Sequence, residues 1–188
     1  MRIVGGRHKG RKIEAPAGRD VRPTSDRARE SLFNILMHSS KLGDDAPALD
    51  GAIALDAFAG SGALGFEALS RGAAHATFLD SDFAALRIIK ANAETLGVAP
   101  DTTILKADAT KPPRATRAAD FVFLDPPYGE DLAAPSLAAL AKAGWIAPGA
   151  VISVELGPED AFDAPEGFAI VDERQYGKAH IVLLRFTA

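Results

Sequence analysis

The stretch Ala52-Ile53-Ala54-Leu55-Asp56-Ala57-Phe58-Ala59-Gly60-Ser61-Gly62-Ala63-Leu64-Gly65 decides the fold. Ala52–Leu55 is a short apolar run and reads as a buried strand. A helix over Ala63–Ser70 follows, closed by Gly72 in the C′ position. Between them, Gly60, Gly62 and Gly65 match the spacing G-x-G-x-x-G in its strand-to-helix context. Glycines at these places let the backbone turn tightly and let a ligand come close to it. They do not say which ligand.

Downstream the alternation continues. The pattern predicts a strand at His75–Leu79, a helix over Asp82–Leu96 closed by Gly97, and strands at Thr102–Leu105 and Phe121–Leu124. A weaker helix, Leu132–Ala143, precedes a strand at Val151–Val154. In the second helix, Phe83, Leu86, Ile89 and Ala93 are expected on one buried face. Alternating strands and helices imply a mostly parallel sheet with right-handed crossovers, an α/β fold. The tail changes character. Phe168–Val171 and Ile181–Phe186 flank only a short turn around Tyr176-Gly177-Lys178 and read as an antiparallel pair.

Upstream, Arg2–Val4 and Arg11–Glu14 surround a Gly-rich turn and predict a β-hairpin. Its tip carries Arg7, His8 and Lys9, a set that can follow a phosphate backbone. A helix follows Arg22-Pro23-Thr24-Ser25, with Thr24 or Ser25 as N-cap and Asp26 in its first turn. Lys41–Asp50 is polar and reads as a linker. The expected organisation is therefore an appendage over residues 1–45 and a core domain over 51–188.

Charge is distributed unevenly. Residues 1–29 hold nine Lys/Arg and three acids, whereas the chain as a whole is net −4. A basic amino end on an acidic body suggests a polyanionic partner docked at one place. The chain has no cysteine, which excludes disulfides, thiolate metal sites and a cysteine nucleophile. The four histidines lack metal-ligand spacing, so no metal is expected. The longest charge-free run, Ala143–Val154, is too short to span a bilayer, and the amino end has no signal-peptide core. These features predict a cytoplasmic protein with no membrane contact, and we expect a monomer.

Acids close four of the predicted strands: Asp56, Asp80, Asp108 and Asp125. Ligands of open α/β sheets bind outside the strand carboxyl ends. Four carboxylates there disfavour a pyrophosphate and favour a ligand with a positive centre. A sulfonium nucleoside, S-adenosylmethionine, fits best, with Asp80 placed for the ribose hydroxyls and Asp108 for the adenine amine. Each acid taken singly also reads as a helix or turn cap. The last of the four opens Asp125-Pro126-Pro127-Tyr128. Two prolines hold Asp125 and the Pro126 carbonyl in extended geometry. Those two acceptors and the flat Tyr128 ring suit a planar ligand bearing an NH2 group.

Asp56-x-Phe58-x-Gly60-x-Gly62 resembles motif I of the Rossmann-like S-adenosylmethionine methyltransferases. Asp125-Pro126-Pro127-Tyr128 resembles the (D/N)PPY motif of their amino-methylating branch. With Arg22-Pro23-Thr24-Ser25-Asp26-Arg27-Ala28-Arg29-Glu30 behind a basic hairpin, nearly the whole chain is similar to the bacterial 16S ribosomal RNA guanine-N2 methyltransferase family. That resemblance implies a seven-stranded sheet with the last strand antiparallel. It implies S-adenosylmethionine as cofactor, S-adenosylhomocysteine as product, and 16S RNA within a small ribosomal subunit or assembly intermediate as partner. It places Asp125, Pro126 and Tyr128 in catalysis and Asp56, Phe58, Gly60, Gly62, Asp80 and Asp108 at the cofactor. Arg7, Lys9, Arg11 and Arg22 would hold RNA. Asp80 departs from the pattern, standing where a longer Glu is expected.

The same Asp125 constellation would serve an adenine methyltransferase acting on DNA or RNA, or one acting on a protein amide. A non-catalytic nucleotide-binding or RNA-binding module and a nicotinamide oxidoreductase are further readings.

Overall fold

In the computed structural model, which describes residues 1–16 and 26–188, strands and helices alternate where the apolar runs place them. The strands are β1 Ile53–Ala57, β2 His75–Asp80, β3 Thr102–Lys106, β4 Ala119–Leu124, β5 Ile146–Leu156, β6 Phe168–Tyr176 and β7 Ala179–Phe186. The helices are α1 Asp26–His38, α2 Ala63–Ser70, α3 Phe83–Leu96 and α4 Ala133–Lys142. The seven strands form one sheet in the order β3-β2-β1-β4-β5-β7-β6. The first five are mutually parallel, and β7 runs antiparallel to both its neighbours. The N-cap expected at Thr24 or Ser25 lies outside the described residues.

Side chains alternate between sheet faces along each strand, and this sorts the core into two layers. On one face Ala54, Phe78, Phe121 and Phe123 pack with α1, α2 and α3, through residues such as Phe33, Phe66 and Ile89. On the other, Leu55, Leu79, Val122 and Leu124 meet α4 and Trp145. A strand buried on both faces needs a continuous apolar run, which is how Phe121–Leu124 reads.

Three expectations change in detail. The buried face of α3 is Ala85, Ile89, Asn92, Ala93 and Leu96. Phe83, the first residue of the helix, is 65% exposed, and the Lys106 amine sits 3.6 Å over its ring. The amino-terminal hairpin pairs only lightly. Arg2 and Lys12 form an isolated antiparallel bridge, and the tip winds into a 3-10 turn over Gly6–His8. The segment 41–50 is tied down. Leu42 and Leu49 are buried, Lys41 bonds Asp172 at 2.6 Å, and Arg185 donates to the Leu42 carbonyl.

The first sixteen residues belong to the same core, with Ile3 and Ile13 buried against α1 and α2. The Val4 amide donates to the fully buried Glu67 on α2 at 2.5 Å. Glu67 also faces Arg71 at 3.3 Å and Arg29 at 3.8 Å. The Ser70 hydroxyl donates to the Gly5 carbonyl and accepts from the His8 amide. No helix among the described residues is long and apolar enough to cross a membrane.

Candidate active site

The loop after β1 is built by its glycines and by two acids beneath it. Phe58, Gly60 and Gly62 have φ of 62°, 56° and 78°, in the left-handed region that favours glycine. Gly62 and Gly65 also answer to packing. A Cβ on Gly62 would lie 2.6 Å from the Phe66 ring, and one on Gly65 would lie 2.4 Å from Phe78. Gly60 differs, since a Cβ there would meet nothing closer than 3.9 Å. Open space over a left-handed glycine is what a bound ligand needs.

Asp56 is 2% exposed. Its carboxylate accepts from the Gly65 amide at 2.9 Å. It therefore holds the loop from below, rather than facing the crevice as its place in the sequence suggests. Burial pushes its carboxyl up to about 8, opposed by the Gly65 bond and reinforced by the charge of Asp80. Asp80, at the end of β2, accepts from the Gly60 amide at 2.8 Å and from the Asp82 amide at 2.8 Å. It thus sits at the loop's open position. Asp108 is exposed, and it accepts from the Thr110 amide and hydroxyl at 2.8 and 2.7 Å. Those bonds hold its carboxyl below the usual range.

β4 pairs with β1 in parallel register, Ala57 opposite Leu124. The glycine loop and Asp125-Pro126-Pro127-Tyr128 therefore leave the sheet side by side. Asp125 is partly exposed and Pro126 buried. Desolvation, then the charges of Glu155 and Asp56, push the Asp125 carboxyl well above the usual range. The Tyr128 ring is 47% exposed. Its hydroxyl donates to Glu155 at 2.7 Å, and burial with that bond raises its ionisation.

Glu155 and Asp160 are the residues that sequence reasoning missed. Asp160 accepts from both the Gly129 and Gly157 amides, at 2.9 and 2.7 Å. The signal for Glu155 is present: it follows Val151–Val154 as Asp56 follows Ala52–Leu55, a fifth acid at a strand end.

The amino-terminal cations take different places. Lys9 is exposed, and Arg7 lies 3.9 Å from Asp101 with over half its side chain exposed. Arg11 donates to the Leu96 carbonyl at 3.0 Å and to the Thr95 carbonyl, closing the carboxyl end of α3. Arg22 lies outside the described residues.

A parallel sheet continued by an antiparallel β7, a glycine loop after β1 and an Asp-Pro-Pro-Tyr turn after β4 define a Rossmann-like methyltransferase fold. An RNA methyltransferase from Salinibacter ruber, solved with S-adenosyl-L-homocysteine, shares that fold. Its TM-score is 0.64 at 15% identity, over 88% of this chain and 94% of that one. Residues 1–185 match the family described as conserved hypothetical protein 95, and the chain belongs to that family. Ribosomal RNA small subunit methyltransferase D of Haemophilus influenzae is 36% identical over 94% of this chain and 89% of its own length. A solved Escherichia coli protein described as a candidate methyltransferase, yhhF, superposes with TM-score 0.84 at 37% identity. That match covers 100% of this chain and 98% of that one.

Proposed function

We propose that the protein is a cytoplasmic enzyme that methylates the exocyclic N2 amine of a guanine in 16S ribosomal RNA, with S-adenosylmethionine as methyl donor. The observation that carries this reading is the parallel register of β1 and β4, which sets the open glycine loop beside the Asp125 acceptors. The Haemophilus relative, a ribosomal RNA small subunit methyltransferase, supports ribosomal RNA as the substrate. The guanine amine is the finer inference, supported by the acceptor pair and the aromatic ring at Tyr128.

The residues present fit the cofactor. Gly60 offers a backbone with open space above it, and the half-buried Asp80 stands beside it, each carboxylate oxygen accepting one backbone amide and able to accept a second bond. Bound there, S-adenosylmethionine supplies a methyl group already activated by its sulfonium. The chain's own task is approach and alignment. Asp125 and the Pro126 carbonyl accept the two amine hydrogens and so aim the nitrogen lone pair at the methyl carbon. The Tyr128 ring stacks on the face of the flipped-out base. As the N–C bond forms, the nitrogen must shed a proton. Asp125, its carboxyl raised by burial and by Glu155 and Asp56, is suited to hold it.

Arg7 and Lys9, exposed at the hairpin tip, contact RNA phosphates, and Arg22 joins them. Arg11 serves by fixing the hairpin to α3. Residues 1–45 thus act as the RNA-binding part and 51–188 as the catalytic part of a monomer. The test is transfer of labelled methyl to small ribosomal subunits from cells lacking this gene, followed by nucleoside analysis. Label in N2-methylguanosine is the expected result. Label in adenine or protein would retain the Asp125 chemistry and reassign the substrate.

A further inference from the structure

Tyr128 presents a problem of support. Its ring is nearly half exposed, so packing alone does not fix its angle. It follows two prolines that end β4, where no ladder continues. A ring that stacks on a base must nonetheless be held to within a narrow range of angles before the base arrives.

Three contacts meet this need, one from the end of β5 and two from the turn that follows it. The tip is held by the hydroxyl's 2.7 Å bond to Glu155, itself 6% exposed. The root is held by Gly157: a Cβ there would lie 2.9 Å from Tyr128 Cγ and 3.0 Å from its Cβ. Glycine at 157 thus allows the backbone to lie directly against the base of the ring. The residue after the ring is held by Asp160, which accepts from Gly129 and from Gly157 and so ties the two loops together. The ring is fixed at its root, its tip and its following residue, while Tyr128 stays 47% exposed.

We infer that the segment Glu155–Asp160 is a seat that sets the angle of the Tyr128 ring, with Glu155 as its positioning residue. The inference rests on the proposed reading of Tyr128 as the side chain that stacks on the target base. Glu155 reaches the reaction through the Tyr128 ring, beside the effect of its charge on Asp125. Its loss lowers turnover and leaves cofactor affinity alone, because the cofactor loop lies on β1.

A double-mutant cycle in the full chain tests this, using Tyr128→Phe and Glu155→Ala. The measurements are turnover on small subunits and the Kd for S-adenosylhomocysteine. Tyr128→Phe is expected to lower turnover about tenfold in the native background, in the range of one hydrogen bond to a charged group. In the Glu155→Ala background the same change is expected to cost nothing further. Glu155→Gln keeps a carbonyl acceptor and recovers part of the loss. Gly157→Ala lowers turnover by displacing the ring. An equal cost of Tyr128→Phe in both backgrounds would overturn the proposal.

A second readout needs no activity. In a Tyr176→Phe chain, Tyr128 is the one remaining tyrosine, and its ionisation is followed by absorbance. Glu155→Gln is expected to bring that ionisation to lower pH, and an unmoved titration would sink the seat. If the shift is seen while the native chain places no methyl on guanine N2, the seat stands and the proposed reaction falls.

Discussion

Two acids at the ends of neighbouring strands face opposite demands at the residue scale. In the proposed reaction Asp125 accepts hydrogens and so works ionised, yet its surroundings raise its carboxyl well above the usual range. Turnover should therefore fall on acidification at a pH above the ordinary carboxylate range, and Asp125→Asn should flatten that acid limb in a pH–rate profile. Asp125→Ala, which removes the acceptor, is expected to lower turnover on the order of a hundredfold or more while S-adenosylhomocysteine binding persists in calorimetry. Asp56 has a structural part, under the loop. Its carboxyl ionises near 8 in the folded protein against an ordinary value of 3.8. A raised carboxyl keeps its proton on folding, so its contribution to stability is complete below the unfolded value and is lost as pH rises through 8. The slope is about 1.4 kcal/mol per pH unit across that window. Asp56→Asn keeps an acceptor for Gly65 and cannot ionise. Thermal melts should show its advantage over the native chain growing from pH 5 to pH 8.

Elements explain why some of this was legible beforehand and some was not. β1, the glycine loop and α2 follow from local signals, since an apolar run, left-handed glycines and a C-terminal glycine each act within a few residues. Gly65 tests the packing side of that loop. With Phe78 only 2.4 Å from an added Cβ, Gly65→Ala should cost about 1–3 kcal/mol in denaturant unfolding. Phe83 departs from the buried face of α3 because helical periodicity does not say where cover over a helix stops. The bonds that join Glu155 and Asp160 to the turn after β4 span 27 and 31 residues, a distance that no local pattern covers. Asp56 is legible in the sequence as an acid before the glycine loop, while its burial and its bond to the Gly65 amide depend on the pleat of the folded strand. In the hairpin, the basic tip was readable from composition, while the use of Arg11 at the end of α3 required the tertiary contact. Arg7→Ala and Lys9→Ala should each weaken RNA binding and lower its salt slope by about one, read from affinities between low and high salt.

For the whole molecule, the asymmetry of charge is built on a firmly anchored amino end. Glu67 is the centre of that anchor, with no exposed surface and contacts to Val4, Arg71 and Arg29. Removing one member of a buried ionic set leaves the others uncompensated, at a cost of about 3–5 kcal/mol. Glu67→Ala should therefore lower the melting temperature of the entire chain and release Met1–Glu14 to proteolysis. Truncating the amino end would confound RNA binding with stability, and point changes at the tip separate the two.

The order of the sheet bears on how the molecule is made. β7 is the last strand in the sequence, yet it lies between β5 and β6 and hydrogen-bonds to both. While the chain is still emerging from a ribosome, β5 has an open edge and β6 has no partner. Every earlier strand can already be paired. The crevice beside the glycine loop can thus take shape before β7 is made, but the far third of the sheet is zipped shut in one step when residues 179–186 arrive. A stalled or clipped product would carry two raw β-edges, and a quality-control protease would meet those first.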